Sequence, residues 1–289
     1  MISSFTQCIC FTLLCCFAVT PNGNAAGKVI KDVEFAVVQG QSLKLDLYLP
    51  DKPKGSGLVV WIHGGGWHKG SKEKCFITWL PQHGYTVASI SYRLSSVAKF
   101  PAQLHDCKGA VRWLRANAGK YGYNPERIFV AGASAGGHLT ALMATTSGHK
   151  LLEGKVGGNL DRSSSVQGAI DYYGPTDFIL RSKTQPSRAN EKGSVVYELL
   201  GGGAHEKVAA AKLASACYHV SKDDPPVWIR YGKPAPVPVI KGDGIHHAGF
   251  GRLLKKKCEE VGIKCHLQVS GHEQPKINDS EFLKRVFAK

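Results

Sequence analysis

The feature that most constrains the fold of this chain is a regular alternation of short apolar runs with amphipathic segments. "GLVVWIHGG", "YTVASISY" and "RIFVAGAS" have the length and composition of strands that are buried on both faces. "FPAQLHDCKGAVRWLRANAGKYG" spaces its apolar residues three and four apart, as a helix does, and "AGGHLTALMATT" follows a strand at once. Strands that alternate with helices form a parallel sheet with helices on both faces.

The alternation begins with a hairpin and continues to the end of the chain. Apolar and polar residues alternate on both sides of Gln39–Gln41, which predicts two antiparallel strands joined by a glycine turn. Further strands are predicted in "VQGAIDYYG", "PPVWIRYG" and "CHLQVS", and further helices in Glu73–His83, "HEKVAAAKLASA" and "HAGFGRLLKKKCEEVG". We therefore predict an α/β protein with a mostly parallel central sheet, helices on both faces and an N-terminal antiparallel hairpin.

Two stretches rich in glycine, serine and asparagine interrupt this pattern, Ser147–Ser165 and Arg181–Gly203. Such insertions form either a lid or rim over a site or plain surface loops, and both interpretations stay open here. The sequence contains no internal repeat and no sign of a second domain. We predict a single domain over residues 27–289.

The N-terminal segment has the pattern of a signal peptide. The first 27 residues contain no charged side chain, and the apolar run Ile9–Thr20 is too short to span a bilayer. Pro21 and the small residues of "GNAAG" follow, which predicts cleavage near Ala25 or Ala26. We predict a signal peptide over residues 1–26, a secreted or periplasmic protein and no stable membrane insertion; the alternative is an unprocessed apolar tail.

The formal net charge of +15 favours polyanionic partners, such as an acidic polysaccharide. The basic residues are scattered, and the one dense run, "KKKCEE", ends in two glutamates, as expected of a solvated helix face. No basic and aromatic binding motif accompanies the charge, so nucleic-acid binding is not predicted.

Five cysteines lie beyond the predicted signal peptide: Cys75, Cys107, Cys217, Cys258 and Cys265. They show no CxxC pair and no cysteine–histidine spacing of the kind that binds zinc, so no metal site is predicted. Their odd number leaves at least one thiol unpaired in a monomer. The sequence gives neither the disulfide pairing nor the oligomeric state.

The segment "GASAGG" matches the pattern G-x-S-x-G between a predicted strand and a predicted helix. Small residues on both sides of Ser134 permit a sharp turn that holds the serine hydroxyl clear of the sheet. The amide of Ala135 then lies at a helix N-terminus, where it can stabilise an oxyanion. We predict Ser134 as a nucleophile; the alternative is a glycine-rich packing turn.

The segment "HGGGW" ends another buried strand. Its glycines allow the amides of Gly64 and Gly65 to turn toward a developing negative oxygen, as the second half of an oxyanion hole. A dinucleotide-binding loop would need G-x-G-x-x-G spacing, which is absent. We expect His63 to be structural, and Trp67 either to line the substrate pocket or to cover the loop.

With these motifs the chain resembles the α/β-hydrolase superfamily, specifically the HGGG-type carboxylesterases. It is most similar to esterases of the hormone-sensitive-lipase and bacterial feruloyl or acetyl-xylan esterase kind. The stretches that carry the resemblance include "VVWIHGGGWHKGSK", "YYGPTDF" and "DDPPVWIRYG". The resemblance implies the α/β-hydrolase fold and hydrolysis of an ester by serine, with histidine as general base and a carboxylate that orients it. It implies no metal and no organic cofactor.

The family order of serine, acid and histidine places the histidine after the last strand. In "CHLQVSGHEQP" that residue is His272, which we predict as the general base. The alternatives are that His246 or His247 serves instead, or that His272 is an exposed loop residue. For the adjacent pair His246–His247, a place at a helix start or pocket rim is favoured over metal binding.

The orienting acid of this predicted triad does not stand where the family pattern has it. The family pattern calls for carboxylates where this chain has Lys233 and Ala235. Asp243 follows in an inserted loop between two glycines, and we predict it as the acid. The alternatives are Asp177 after the preceding strand, Asp223 or Asp224 before the strand, or no acid at all.

Two functions from different classes remain. The first is an exported serine carboxylesterase that acts on small acyl esters, with acetyl or feruloyl groups on polysaccharide as candidate substrates. The second is a hydrolase-fold protein with an impaired triad that binds carbohydrate or another ligand without turnover. We expect Arg93 and Asp106 to be structural, as an ion-pair partner and a buried hydrogen-bonding group.

Overall fold

A computed structural model describes residues 27–232, 246–270 and 278–287 of the chain. Eight strands form one sheet in the order β1-β2-β4-β3-β5-β6-β7-β8. Their bounds are β1 Lys28–Val38, β2 Gln41–Leu49, β3 Ser56–Ile62, β4 Thr86–Ile90, β5 Tyr123–Ala133, β6 Gly168–Tyr172, β7 Val227–Tyr231 and β8 Cys265–Val269.

Strand direction follows the predicted pattern. The strands β1 and β2 pair antiparallel around a turn at Gln39 and Gly40, and β2 also pairs antiparallel with β4. From β4 through β3 and β5 to β8 every neighbouring pair is parallel. The predicted mostly parallel sheet with an N-terminal antiparallel hairpin is therefore confirmed.

The described helices connect the strands and cover both faces of the sheet. Their bounds are α1 Ala102–Ala116, α2 Ala118–Tyr121, α3 Ala135–Thr145, α4 Lys150–Glu153, α5 Phe178–Thr184, α6 Pro186–Ala189, α7 Val195–Leu200, α8 Val208–Leu213, α9 Ala248–Glu260 and α10 Asp279–Phe287. Short 3₁₀ helices lie at Leu80–His83 and Ala216–Tyr218. None of these described helices combines the length and apolar composition needed to cross a bilayer.

Alternate side chains of the central strands pack into two apolar layers, one on each face of the sheet. In β3, Leu58 and Val60 pack on one face with α1, α3 and α9, whereas Trp61 packs on the other face with Phe282 of α10. Each central strand is thus buried on both sides, which explains why its sequence is continuously apolar rather than alternating.

The helix predicted over Glu73–His83 is wrong for most of its length, because only Leu80–His83 is helical and it forms a 3₁₀ turn. The segment is held by tertiary contacts at its start, where the Lys72 ammonium lies buried 2.8 Å from the Asp46 carboxylate. Pro81 then occupies the first turn of the short helix, the position that a proline tolerates.

The long helix predicted from Pro101 to near Gly122 is interrupted at Asn117, between α1 and α2. The Asn117 side-chain amide donates to the carbonyl oxygen of Trp113 at 2.8 Å, so the side chain competes with the helical backbone pattern. The structural ion pair is confirmed, since the Arg93 guanidinium binds the buried Asp106 carboxylate at 2.7 Å.

The two insertions occupy different places. The stretch Ser147–Ser165 carries α4 and lies across α1, where the Arg112 guanidinium donates to the Val156 carbonyl oxygen at 3.0 Å. The stretch Arg181–Gly203 carries most of α5 together with α6 and α7, and Val195 at the start of α7 lies beside Gly66. Only the second insertion therefore borders the glycine-rich loop after β3.

The turn between β5 and α3 has no room for a side chain at Gly136. A Cβ atom there would overlap the carbonyl oxygen of Ile62 at the end of β3. We predict that Gly136→Ala lowers the free energy of unfolding by about 3 kcal/mol or more, because overpacking against backbone cannot relax easily.

Urea unfolding measures this effect, with Gly119→Ala as the matched control. A Cβ at Gly119 in α2 meets nothing within 4 Å, so alanine there should be neutral or slightly stabilising. Equal stability of the two variants would contradict the close packing of the turn.

Candidate active site

Ser134 sits at the strand-to-helix turn between β5 and α3, in the strained conformation φ 58°, ψ −114°. It is the one residue from 128 to 146 that is not buried. Its amide donates to the Tyr172 carbonyl oxygen at the end of β6 at 2.9 Å. The turn therefore lifts a single hydroxyl out of the apolar layers at the carboxyl edge of the sheet, as the motif predicts.

The glycine-rich loop after β3 lies directly against this turn. A Cβ atom on Gly64 would lie 2.7 Å from the Ala133 carbonyl oxygen and 3.5 Å from the Ser134 Cβ, so the backbone approaches closely only because the residue is glycine. His63 holds the loop: its buried ring stacks on Tyr92 at 4.3 Å, and its Nδ1 lies 2.8 Å from the Gly64 carbonyl oxygen. His63 is thus structural, as expected.

Trp67 is fully buried and connects the loop to α3. Its indole N–H donates to Nδ1 of His138 at 3.1 Å, and His138 Nε2 lies 2.7 Å from the Ala214 carbonyl oxygen. This pattern requires a neutral imidazole with its proton on Nε2. Burial lowers the pKa of His138 to about 4, which keeps the ring neutral. Of the two predicted roles for Trp67, covering the loop is the one that agrees with its burial.

The adjacent histidines after β7 have separate places. His247 caps α9, with Nδ1 accepting from the Gly249 amide at 2.8 Å. His246 points toward the turn, with Nε2 at 2.9 Å from the Ser134 hydroxyl oxygen. The predicted helix-start position is confirmed by His247, which is the N-cap of α9.

Two features of its environment lower the pKa of His246. Burial lowers the pKa of its imidazole, and the positive charge of Arg181 lowers it further. Arg181 itself is fully buried in α5, with its guanidinium 4.8 Å from the centre of the Phe250 ring. A neutral imidazole beside the hydroxyl can accept a proton at neutral pH.

The segment after β6 forms a corner beside the turn. Tyr173 has φ 51°, which is rare for an aromatic residue, and its ring centre lies 4.7 Å from that of His246. The Tyr173 amide donates to the Arg230 carbonyl oxygen at 2.8 Å, which ties the corner to β7. The residue after it, Gly174, accepts from the Tyr231 hydroxyl at 2.7 Å.

Asp171 anchors the same corner from within the core. One carboxylate oxygen accepts from the Gly174 amide at 2.7 Å, whereas the other has no hydrogen-bond partner among the described residues. Burial raises the pKa of Asp171 to about 7, and the single amide hydrogen bond only partly offsets this. The core therefore holds a carboxyl group that is largely protonated below neutral pH.

The remaining predicted residues fall into two groups. His272 and Asp243 lie outside the described residues, so their roles stay predictions. Asp177 is the N-cap of α5 and accepts from the Leu180 amide at 2.9 Å, a structural role for this alternative acid. Asp224 accepts from the Ser221 amide at 2.9 Å in the turn before β7, at the opposite end of the strand from Ser134.

Sequence analysis missed Tyr173 and Asp171, although Tyr173 lies in the stretch "YYGPTDF" that carries the family resemblance and Asp171 immediately precedes it. Their importance arises because β5 and β6 are neighbours, with Gly132 paired to Asp171 and Ala133 to Tyr172. The available signal was their position at the carboxyl end of a parallel strand, where functional residues of such sheets gather.

The ionisation of Asp171 gives a prediction about stability. The folded protein retains a proton up to about pH 7 that the unfolded chain releases near its ordinary value of 3.8. The contribution of this proton to stability is thus complete below the ordinary pKa of 3.8 and is lost as the pH rises through the folded-state pKa of about 7. We expect Asp171→Asn to unfold at a higher urea concentration than the parent protein at pH 8. The change in free energy of unfolding caused by the substitution should be about 2 to 3 kcal/mol more favourable at pH 8 than at pH 5.

Urea unfolding of both proteins at the two pH values measures this difference, and all other titrating groups cancel in the comparison. The same difference at pH 5 and pH 8 would contradict a raised pKa at Asp171.

Comparison with known proteins identifies the family of this chain. The family model described as BD-FAE matches residues 45–243. The probable carboxylic ester hydrolase LipM of Mycobacterium tuberculosis is 30% identical over 225 residues, which is 74% of this chain and 48% of LipM. The chain spans about half the length of the curated relatives it matches.

Solved structures give the same fold over most of the chain. A truncated carbohydrate esterase from gut microbiota superposes with a TM-score of 0.78 at 26% identity, covering 92% of this chain and 98% of the other. A bifunctional GH43-CE protein of Bacteroides eggerthii gives 0.72 at 29% identity, covering 90% and 37%. The chain has the α/β-hydrolase fold and belongs to the BD-FAE family.

Proposed function

We propose that this chain is an exported serine carboxylesterase that hydrolyses small acyl esters through an acyl-enzyme. The observation that carries the proposal is the contact at Ser134. A hydroxyl lifted from a strained turn lies 2.9 Å from an imidazole nitrogen and directly beside a glycine-rich loop. Nucleophile, proton acceptor and oxyanion donors are the three parts that acyl transfer by serine needs.

The chemistry follows from that arrangement. The Ser134 oxygen attacks the ester carbonyl carbon as its proton passes to the imidazole. The carbonyl oxygen becomes an oxyanion, which the amides of Gly64, Gly65 and Ala135 stabilise. The imidazole returns the proton to the departing alcohol, leaving an acyl-serine. Water then attacks this ester by the same steps in reverse, releasing the acid and restoring Ser134.

Two histidines are candidates for the imidazole that accepts the Ser134 proton, and each has its own support. The geometry supports His246, which already contacts the Ser134 hydroxyl and whose lowered pKa leaves it able to accept a proton. The family order supports His272, three residues beyond the end of β8. Asp243 remains the proposed orienting acid, since Asp177 is engaged as a helix cap.

The substrate class rests on relatives and on charge. One of the similar structures is a carbohydrate esterase by its title, which supports an ester on a carbohydrate as the substrate. Acetyl and feruloyl groups on polysaccharide are the candidates that the family resemblance implies. The net charge of +15 favours an acidic polymer. Export rests on the signal-peptide pattern of residues 1–26, which would deliver the enzyme to such substrates.

One observation favours the second function, a hydrolase-fold protein that binds carbohydrate without turnover. Ala235 stands where the family pattern has a carboxylate, and alanine cannot orient an imidazole. Loss of the orienting acid alone lowers turnover by about 10⁴ while some catalysis persists. The two functions therefore differ in measurable rate.

We expect the purified protein to hydrolyse p-nitrophenyl acetate, and Ser134→Ala to lower kcat/KM at least about 10³-fold, because the nucleophile is removed. Thr140→Ala in α3 is the control, since this hydroxyl is buried within the helix that follows Ser134. Release of p-nitrophenol is followed by absorbance. A parent protein no faster than Ser134→Ala would overturn the enzyme and leave the binding function.

A further inference from the structure

We propose that Tyr173 is a positioning residue, whose ring holds the His246 imidazole at the Ser134 hydroxyl. This inference rests on the proposed function with His246 as the imidazole that serves Ser134. It goes beyond that function because it assigns a task to a residue outside the nucleophile, base, acid and oxyanion donors. Four contacts carry it: Tyr173 with Arg230 of β7, Tyr173 with His246, His246 with Ser134, and Tyr172 of β6 with Ser134.

The corner that carries Tyr173 is fixed from three sides. Its amide binds the Arg230 carbonyl oxygen at 2.8 Å, so β7 holds the residue in register. The next residue, Gly174, is held at both its backbone groups, by the Asp171 carboxylate and the Tyr231 hydroxyl, each at 2.7 Å. Both of those side chains are buried, so the corner has little freedom to move.

The backbone at Tyr173 is strained, and the strain has a geometric consequence. A φ of 51° is unfavourable for an aromatic residue by about 1 kcal/mol or more, and such residues persist only where their surroundings hold them. With the backbone in this conformation, the ring contacts His246. A residue in ordinary extended conformation would continue β6.

The ring and the imidazole make the decisive contact. Their centres lie 4.7 Å apart with the planes inclined at 51°, within the range of favourable aromatic pairs. The Nε2 atom of the same imidazole lies 2.9 Å from the Ser134 hydroxyl oxygen. The preceding residue, Tyr172, binds the Ser134 amide, so one peptide corner holds both the nucleophile and the imidazole.

The contact also affects protonation. Among the residues that the structure describes, the Ser134 hydroxyl and the Tyr173 ring contact His246, and the positive charge of Arg181 acts on it; none of these is an anion at neutral pH. Burial lowers the pKa of His246, and the Tyr173 ring is one of the groups that lie against it. Removal of the ring admits water, which should raise that pKa toward its ordinary value and move the acid limb of the rate profile to higher pH.

The test is a double-mutant cycle on p-nitrophenyl acetate hydrolysis with Tyr173→Leu, His246→Ala and the double variant. We expect Tyr173→Leu to lower kcat by about 10-fold or more with KM within about twofold, since misplacement of a reacting group acts on the chemical step. Tyr173→Phe keeps the ring and should retain kcat within about twofold. In the His246→Ala background, Tyr173→Leu should have no further effect, because its target is gone.

Controls separate positioning from folding. Tyr218→Leu removes an exposed tyrosine from the Ala216–Tyr218 turn and should leave kcat unchanged. Thermal unfolding is measured for every variant, and Tyr173→Met enters the same cycle if the leucine variant does not fold. Additive effects of Tyr173→Leu and His246→Ala, or parental kcat and pH profile in Tyr173→Leu, would overturn the inference.

Failure of the proposed function gives a different pattern. If Ser134→Ala retains the parental rate, the serine mechanism itself is wrong. If Ser134→Ala is inactive while the cycle is additive, the esterase stands and only the positioning role of Tyr173 is lost.

Discussion

The structure depends on the close packing of the turn at Ser134 between two strands. Gly136 lies against the carbonyl of Ile62 at the end of β3, and the Ser134 amide binds the end of β6. These contacts with β3 and β6 hold the strained backbone conformation of Ser134, which an isolated chain would avoid. The glycine-rich loop, the nucleophile turn and the Tyr173 corner can meet only because β3, β5 and β6 are neighbours in a parallel sheet.

Backbone strain is concentrated at this edge of the sheet. Of the six described non-glycine residues with positive φ, Trp67, Ser134 and Tyr173 each lie in the segment that follows one of these three strands. Each is held by a specific partner: Trp67 by His138, Ser134 by the Tyr172 carbonyl, and Tyr173 by the Arg230 carbonyl. The surrounding core holds these residues in backbone conformations that cost free energy, as is common at functional sites.

The strands and the main helices could be predicted from the sequence because burial on two faces produces continuous apolar runs. Elements set by tertiary contacts were not predictable, as in the segment before Leu80, which follows the buried ion pair of Lys72 with Asp46 and forms turns instead of a helix. The Ser134 turn and its glycine loop follow from local motifs. Asp171 and Tyr173 escaped prediction because their roles depend on which strands are adjacent, and the contact of His246 with Ser134 depends on where α9 begins.

The central claim is that Ser134 is an activated nucleophile in the folded protein. The most direct measurement is covalent labelling with a fluorophosphonate ester, followed by proteolysis and mass spectrometry of the modified peptide. The account predicts one equivalent of label, on the peptide that contains Ser134, and no label after unfolding in urea. Folded protein that remains unlabelled at Ser134, or that carries the label on another serine, would contradict it.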